Sequence, residues 1–343
     1  MKNKKSKLKL IKILGKVLLP LLAILFPFSA IAFMVSPNFF SWIVRIFFDH
    51  QFEEFIYTDD VKSFSNISYG EARGEKFDLH LPDKKGGTYP LIIFAHGGAY
   101  VAGDKNNLIF FARLLAHYGY AVATINYTLA PKAHYPTQLL QIGKAYTFLT
   151  TKDYDGKELV DTSRLFLAGD SAGAQMMAQL VVLQTNPAYR ANFMKLHPQS
   201  LLPEAFPAKA LRGVLLYCGP YVFDEIKNSP KRILRLFFNQ MCWAYFGKRK
   251  YTDLPAFEEI EIIPHLTAEF PPAFITDGNT LTFPTHGRAL SEALEQLGVK
   301  TTTLIFDDAD KKIYHEFELN IAIPEARQAL VAALAFLKKN STH

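Results

Sequence analysis

"FLAGDSAGA", Phe166 to Ala174, decides how the chain is read. A β-like apolar run over 164–168 passes through Gly169-Asp170-Ser171-Ala172-Gly173 into a helical pattern over 172–183. A strand can turn into a helix this abruptly only where the two backbones nearly touch. Glycines two before and two after the serine leave the room that side chains would fill. Strand, tight turn and helix in one short stretch also set the rhythm to look for on either side.

That rhythm continues. Strands are expected at 64–69, 76–81, 91–95, 121–127, 164–168, 213–218, 273–276 and 301–306, with helices at 108–117, 139–150, 172–183, 286–297 and 324–338. Strands alternating with helices predict an α/β fold, a mostly parallel eight-stranded sheet flanked by helices, whose ligands bind at the carboxyl ends of the strands. Two stretches, 186–210 and 224–270, break the pattern. The second is aromatic, helix-prone and too long for a plain loop, so a helical cap inserted at about 224–270 is expected.

A second motif, "LIIFAHGGAYVAGDK" (Leu91 to Lys105), ends a strand in His96-Gly97-Gly98-Ala99-Tyr100. Alone it would read as a glycine turn after a buried strand. With the Gly-x-Ser-x-Gly turn following it, the motif gains a purpose: acyl transfer passes through a tetrahedral oxyanion, and bare backbone N–H groups are the least obstructed donors for it. The expected donors are the amides of Gly97, Gly98 and Ala172.

With "NYTLAPKAHYPTQL" (Asn126 to Leu139) added, the chain resembles the α/β-hydrolase esterases of the hormone-sensitive-lipase type. That stretch is similar to the family's Tyr-Arg-Leu-Ala-Pro-Glu segment, and "HGGAY", "GDSAG" and the rest occur in the family's order over roughly 68–338. Ala99 stands where a third glycine is usual, and Thr128 and Lys132 where Arg and Glu are usual. The resemblance implies a nucleophilic Ser171 and, in the order Ser, acid, His, a base after the last strand. His315 in "KKIYHEFELN" has that place, whereas His286 opens a helix and His96 belongs to the oxyanion turn. It also implies short-to-medium acyl esters, a pocket shaped by the cap and Tyr100, and no cofactor.

The acid is open. The family reads Gly-x-x-Asp-x-Leu after the penultimate strand, and counting from Gly278 puts Leu281 where the Asp belongs. Asp277, at the end of that strand, is one candidate. Asp224 in "CGPYVFD", after the preceding strand, is the alternative, a location some lipases of this fold use.

Charge and hydropathy place the rest. Of 38 basic residues against 32 acidic ones, seven are lysines within residues 1–16; without them the count is 31 to 32, a near-neutral balance that argues against nucleic acid, whose recognition needs a clustered basic face. Residues 17–35 carry no charge, long enough for a transmembrane anchor with its lysine-rich end in the cytoplasm and the remainder outside. A cleaved signal peptide ending near Ala32 is the other reading, and would give a secreted domain. An amphipathic juxtamembrane linker is expected at 36–57 and the hydrolase domain at 58–343. Only Cys218 and Cys242 are present, so no disulfide framework is required, and no zinc spacing or His-Glu-x-x-His helix occurs. The expectation is a membrane-tethered serine hydrolase of carboxylic esters working through an acyl-enzyme. A peptidase or lipase of the same fold, and a catalytically degenerate binding protein on it, are the rivals.

Overall fold

The computed structural model describes residues 36–48, 59–84, 87–200, 202, 206–207 and 209–341. Its centre is an eight-stranded sheet in the order β1-β2-β4-β3-β5-β6-β7-β8, formed by Val61–Ser68, Lys76–Pro82, Tyr89–Ala95, Ala121–Ile125, Val160–Asp170, Leu211–Tyr217, Ala273–Asp277 and Thr301–Ile305 (β1 to β8 in chain order). β2 runs antiparallel to both β1 and β4; β4, β3, β5, β6, β7 and β8 are mutually parallel.

Strand periodicity explains the layers. Along β3, Leu91, Ile93 and Ala95 join Leu165 and Leu167 of β5 in one core, while Ile92 and Phe94 join Phe166 and Ala168 in the other. Both faces are dry, which is why these strands read as continuous apolar runs. Helices α2 (Ile109–His117) and α10 (Pro324–Ser341) cover one face. Helices α3 (Thr137–Thr151), α4 (Ala172–Thr185) and α9 (Pro284–Gln296) cover the other. Strand and helix ends expected from sequence fall within a few residues of these bounds, β5 excepted: it starts at Val160, ahead of the apolar run.

The irregular stretches hold further helices. Pro187–Leu196 is α5, and the expected cap contains α6 (Phe223–Lys227), α7 (Arg232–Phe246) and α8 (Pro255–Glu259). The cap is clamped to the body by buried polar contacts: the Tyr135 amide donates to the Tyr245 carbonyl at 2.8 Å, and the Tyr135 hydroxyl donates to Glu259 at 3.0 Å, with His197 Nε2 2.7 Å from the same carboxylate. Glu259 is buried, and burying a charge is tolerable only with such partners.

The stretch expected as a juxtamembrane linker behaves differently over its described part. Pro37–Phe48 forms α1, which docks on α7: Phe40 is fully buried with its ring 5.1 Å from that of Phe237, and Val44 is buried beside it. Ser41 Oγ and Arg45 Nε both donate to the Val101 carbonyl, at 3.1 and 2.9 Å. An amphipathic helix suits a membrane surface or a protein flank equally, and here Phe40 and Val44 of α1 are buried against the protein while Trp42 is exposed. Among the described residues no helix is long and apolar enough to cross a membrane; the span expected at 17–35, the basic segment before it and residues 49–58 lie outside the described residues.

Candidate active site

Ser171 sits where β5 becomes α4, with φ 50° and ψ −119°. This is backbone that a residue with a side chain adopts only at about 1–3 kcal/mol of strain. The strain is held by close packing. A Cβ on Gly169 would lie 2.4 Å from the Gly173 carbonyl carbon, and one on Gly173 would lie 2.2 Å from the Ala95 oxygen. The Ser171 amide is tied to the Tyr217 carbonyl at 2.8 Å. The serine side chain is thereby pushed up at the carboxyl end of the sheet.

The turn after β3 stands next to it. Gly98, Ala99 and Tyr100 all have positive φ, at 102°, 51° and 63°, and a Cβ on Gly98 would meet the Ala102 oxygen at 2.3 Å. The tight loop is closed by the Val101 and Ala102 amides, which donate to the Gly98 carbonyl at 3.0 and 2.9 Å. The His96 ring stacks on Tyr127 with centroids 4.4 Å apart, and the Tyr127 hydroxyl donates to the His96 carbonyl at 2.7 Å. Among the described residues, the amides of Gly97, Gly98 and Ala172 donate to no protein acceptor. Tyr100 is fully buried, stacked under Tyr245 of the cap at 4.0 Å and donating to Gln175 Oε1 at 3.0 Å. It joins the loop to the cap floor.

His315 reaches Ser171 from the segment after β8: its Nε2 lies 2.8 Å from Ser171 Oγ. Two loops are stitched together to hold it there. The amides of Asn279 and Thr280 both donate to the Ile313 carbonyl at 2.9 Å, and the Ile313 amide returns a bond to Asn279 Oδ1 at 2.9 Å. The other face of the imidazole meets Phe283 edge-on at 5.4 Å.

The acid candidates separate clearly. Asp224 lies on α6 with its side chain 68% exposed and is paired with Lys227 at 2.7 Å. Asp277 is buried at the end of β7, and its carboxylate accepts from the Gly278 amide at 2.7 Å, the Phe283 amide at 3.2 Å and the Thr282 hydroxyl. Burial pushes the Asp277 carboxyl up; the Thr282 hydroxyl, the His315 charge and the Gly278 amide pull against it. The atom bonded to His315 Nδ1 is Thr282 Oγ1, at 2.9 Å. Leu281, in the family's Asp position, has φ 53° and is 71% exposed, so the chain turns outward there and inward again at Thr282.

His286 has a separate task. Its Nδ1 accepts from the amides of Tyr221 and Val222 at 3.1 and 3.2 Å, and burial lowers its pKa to about 4. A neutral ring that ties the loop after β6 to α9 is the result.

A group of acids that sequence reasoning missed lies beside the serine. Asp170 is buried and its carboxyl is pushed well up, by burial first and then by Glu316 and Glu318. A Cβ on Gly97 would lie 2.6 Å from Glu316 Oε1 and 2.9 Å from Asp170 Oδ2, so Gly97 is what allows these acids to approach the loop. Burial raises Glu318 to about 8. Glu318 is buried and Glu316 partly so, and "HEFEL" gives no sequence signal of it, since charged residues near a chain turn are ordinarily solvated. Both cysteines are buried and free. Among the described residues, no group of three or more His, Cys, Asp or Glu is arranged to hold a metal ion.

Known proteins resemble the chain in three ways. Kynurenine formamidase of Salmo salar is 31% identical over 170 residues, 50% of this chain and 53% of that protein. Esterase LipQ of Mycobacterium tuberculosis (strain ATCC 25618 / H37Rv) is 23% identical over 248 residues, 70% of this chain and 54% of that protein. The chain thus spans about half the length of each of these relatives. Among solved structures, esterase B from Lactobacillus Rhamnosis (HN001) superposes with a TM-score of 0.70 at 21% identity, covering 84% of this chain and 88% of that one, a likeness of fold. Residues 92–317 match the alpha/beta hydrolase fold family across its two glycine turns and its last loop, and the chain belongs to that family.

Proposed function

We propose that the chain is a serine hydrolase of carboxylic esters that works through an acyl-enzyme. The observation that carries this reading is the 2.8 Å approach of His315 Nε2 to Ser171 Oγ, in a strained turn beside three unengaged amides. Ser171 Oγ attacks the ester carbonyl carbon while His315 Nε2 takes its proton. The carbonyl oxygen becomes an oxyanion and is held by the Gly97, Gly98 and Ala172 amides. Collapse breaks the ester C–O bond, and the leaving alcohol takes the proton back from Nε2. Water then repeats the sequence on the acyl-serine, releasing the acid. The deep position of Ser171, only 7% exposed under the cap, favours small-to-medium acyl groups.

One relative favours a second substrate. The Salmo salar protein is named a formamidase, and the same attack on a formamide would break C–N in place of C–O. Side-by-side turnover of p-nitrophenyl acetate, butyrate and octanoate and of an aryl formamide, with wild type and Ser171→Ala, tests both. Ester turnover that disappears with Ser171→Ala is expected, and an ester-inert, formamide-active protein would favour the second reading. Turnover of neither, or turnover surviving the substitution, would remove the serine mechanism.

The reading includes a tether. Seven lysines followed by an uncharged run at 17–35 support a single-pass anchor with the hydrolase domain outside the cytoplasm. Protease added to intact cells is then expected to digest the domain; protection would overturn that orientation.

A further inference from the structure

We infer that Thr282 is a positioning residue, a hydroxyl relay that replaces the direct carboxylate-to-imidazole contact and sets the tautomer of His315. The inference rests on the serine-hydrolase reading of the same site and adds a residue to it.

Counting protons fixes the direction of each bond. An ionised carboxylate only accepts, so the single Thr282 proton is committed to Asp277 Oδ1. Two backbone amides, Gly278 at 2.7 Å and Phe283 at 3.2 Å, fill further lone pairs of that carboxylate and fix its orientation. Thr282 Oγ1 then faces His315 Nδ1 at 2.9 Å with lone pairs only. Nδ1 must carry the proton to make that bond. Nε2 is left as the acceptor, and it is the nitrogen 2.8 Å from Ser171 Oγ. Direction is therefore passed from Asp277 through one hydroxyl to the base.

The backbone makes this a built arrangement. Positive φ at Leu281 sends that side chain out and returns Thr282 to the interior. The paired bonds from Asn279 and Thr280 to the Ile313 carbonyl lock the threonine loop against the histidine loop. Asp277, four residues before the family's acid position, makes no hydrogen bond of its own to the imidazole among the described residues, and the Thr282 hydroxyl supplies the missing atom of reach.

The test uses Thr282→Val, which keeps shape and loses the hydroxyl, Thr282→Ser, which keeps the hydroxyl, and Asp277→Asn alone and combined with Thr282→Val. With p-nitrophenyl butyrate, Thr282→Val is expected to lower kcat on the order of 100-fold with KM little changed, and Thr282→Ser to restore it to within a few-fold. The double variant is expected to lose no more than the worse single one, because both interrupt one chain. Wild-type kcat in Thr282→Val, no rescue by Ser, or independent losses would overturn the relay. A readout that needs no turnover separates this from failure of the hydrolase reading: ¹⁵N spectra of histidine-labelled protein, with His315→Ala assigning the signal. The neutral His315 ring is expected as the Nδ1–H form in wild type and Thr282→Ser, and as a mixture in Thr282→Val. An Nδ1–H form unchanged in Thr282→Val would overturn the relay whatever the substrate is.

Discussion

Gly173→Ala is the smallest change that bears on the whole site. The added carbon would stand 2.2 Å from the Ala95 oxygen and 2.7 Å from that of His96, both backbone atoms with no rotamer to yield. A relaxed carbon–oxygen contact is roughly 3.3 Å, so the end of β3 must retreat by about 1 Å. His96, Gly97 and Gly98 follow directly from that point. Misplacing donors by about 1 Å costs on the order of 100-fold in rate, on top of about 1–3 kcal/mol for overpacking. Gly119→Ala is the matched control: Gly119 has φ +101° with nothing within 4 Å of its added Cβ, so backbone strain lowers stability while the site is untouched. Urea denaturation of both variants, with kcat for p-nitrophenyl butyrate, checks this. Comparable destabilisation with rate loss in Gly173→Ala alone is expected. A folded Gly173→Ala within about threefold of wild-type kcat would refute the claim that this contact places the oxyanion loop, since the worked displacement predicts far more.

Other consequences follow from the acids. In Asp277→Asn, whichever way the amide is turned, its NH₂ meets a donor, from Gly278 and Thr282 on one side or Phe283 on the other; kcat is expected to fall on the order of 10³-fold, whereas Asp224→Asn, removing an exposed partner of Lys227, should leave turnover unchanged. Equal turnover in Asp277→Asn and wild type would exclude Asp277 from the chain to His315. Burial first, then Glu316 and Asp277, push the buried Glu318 carboxyl up from 4.5 to about 8, against the pull of its backbone bond and Cys218. Its native form holds the proton to higher pH than the unfolded chain does, so the associated stability is complete below about 4.5 and is lost as pH rises to about 8. Melting temperature should therefore fall across pH 5 to 8 in wild type and fall less in Glu318→Gln; identical slopes would contradict this.

Particular residues show what a single sequence can and cannot carry. Gly169, Ser171 and Gly173 state their own geometry, because a strained turn between a strand and a helix admits few other side chains. The strands were legible for a similar reason: with both faces buried, β3 to β7 must be apolar nearly throughout. Helix α1 was legible as amphipathic and not as docked, since nothing in a 3.6-residue period distinguishes a lipid surface from the flank of α7. Thr282 was not legible at all. A threonine in a turn is common, and its role depends on the positive φ at Leu281 and on a histidine 33 residues further along the chain, neither of which has a local signature. The Asp170, Glu316 and Glu318 group was hidden likewise, because it exists only after the last loop folds over the serine turn.

Reaction of the purified protein with a fluorophosphonate, followed by intact mass and peptide mapping, tests the central claim most directly. One adduct is expected, on Ser171, absent in Ser171→Ala and strongly slowed in His315→Ala. No adduct on the folded wild-type protein, or an adduct on another residue, would contradict it.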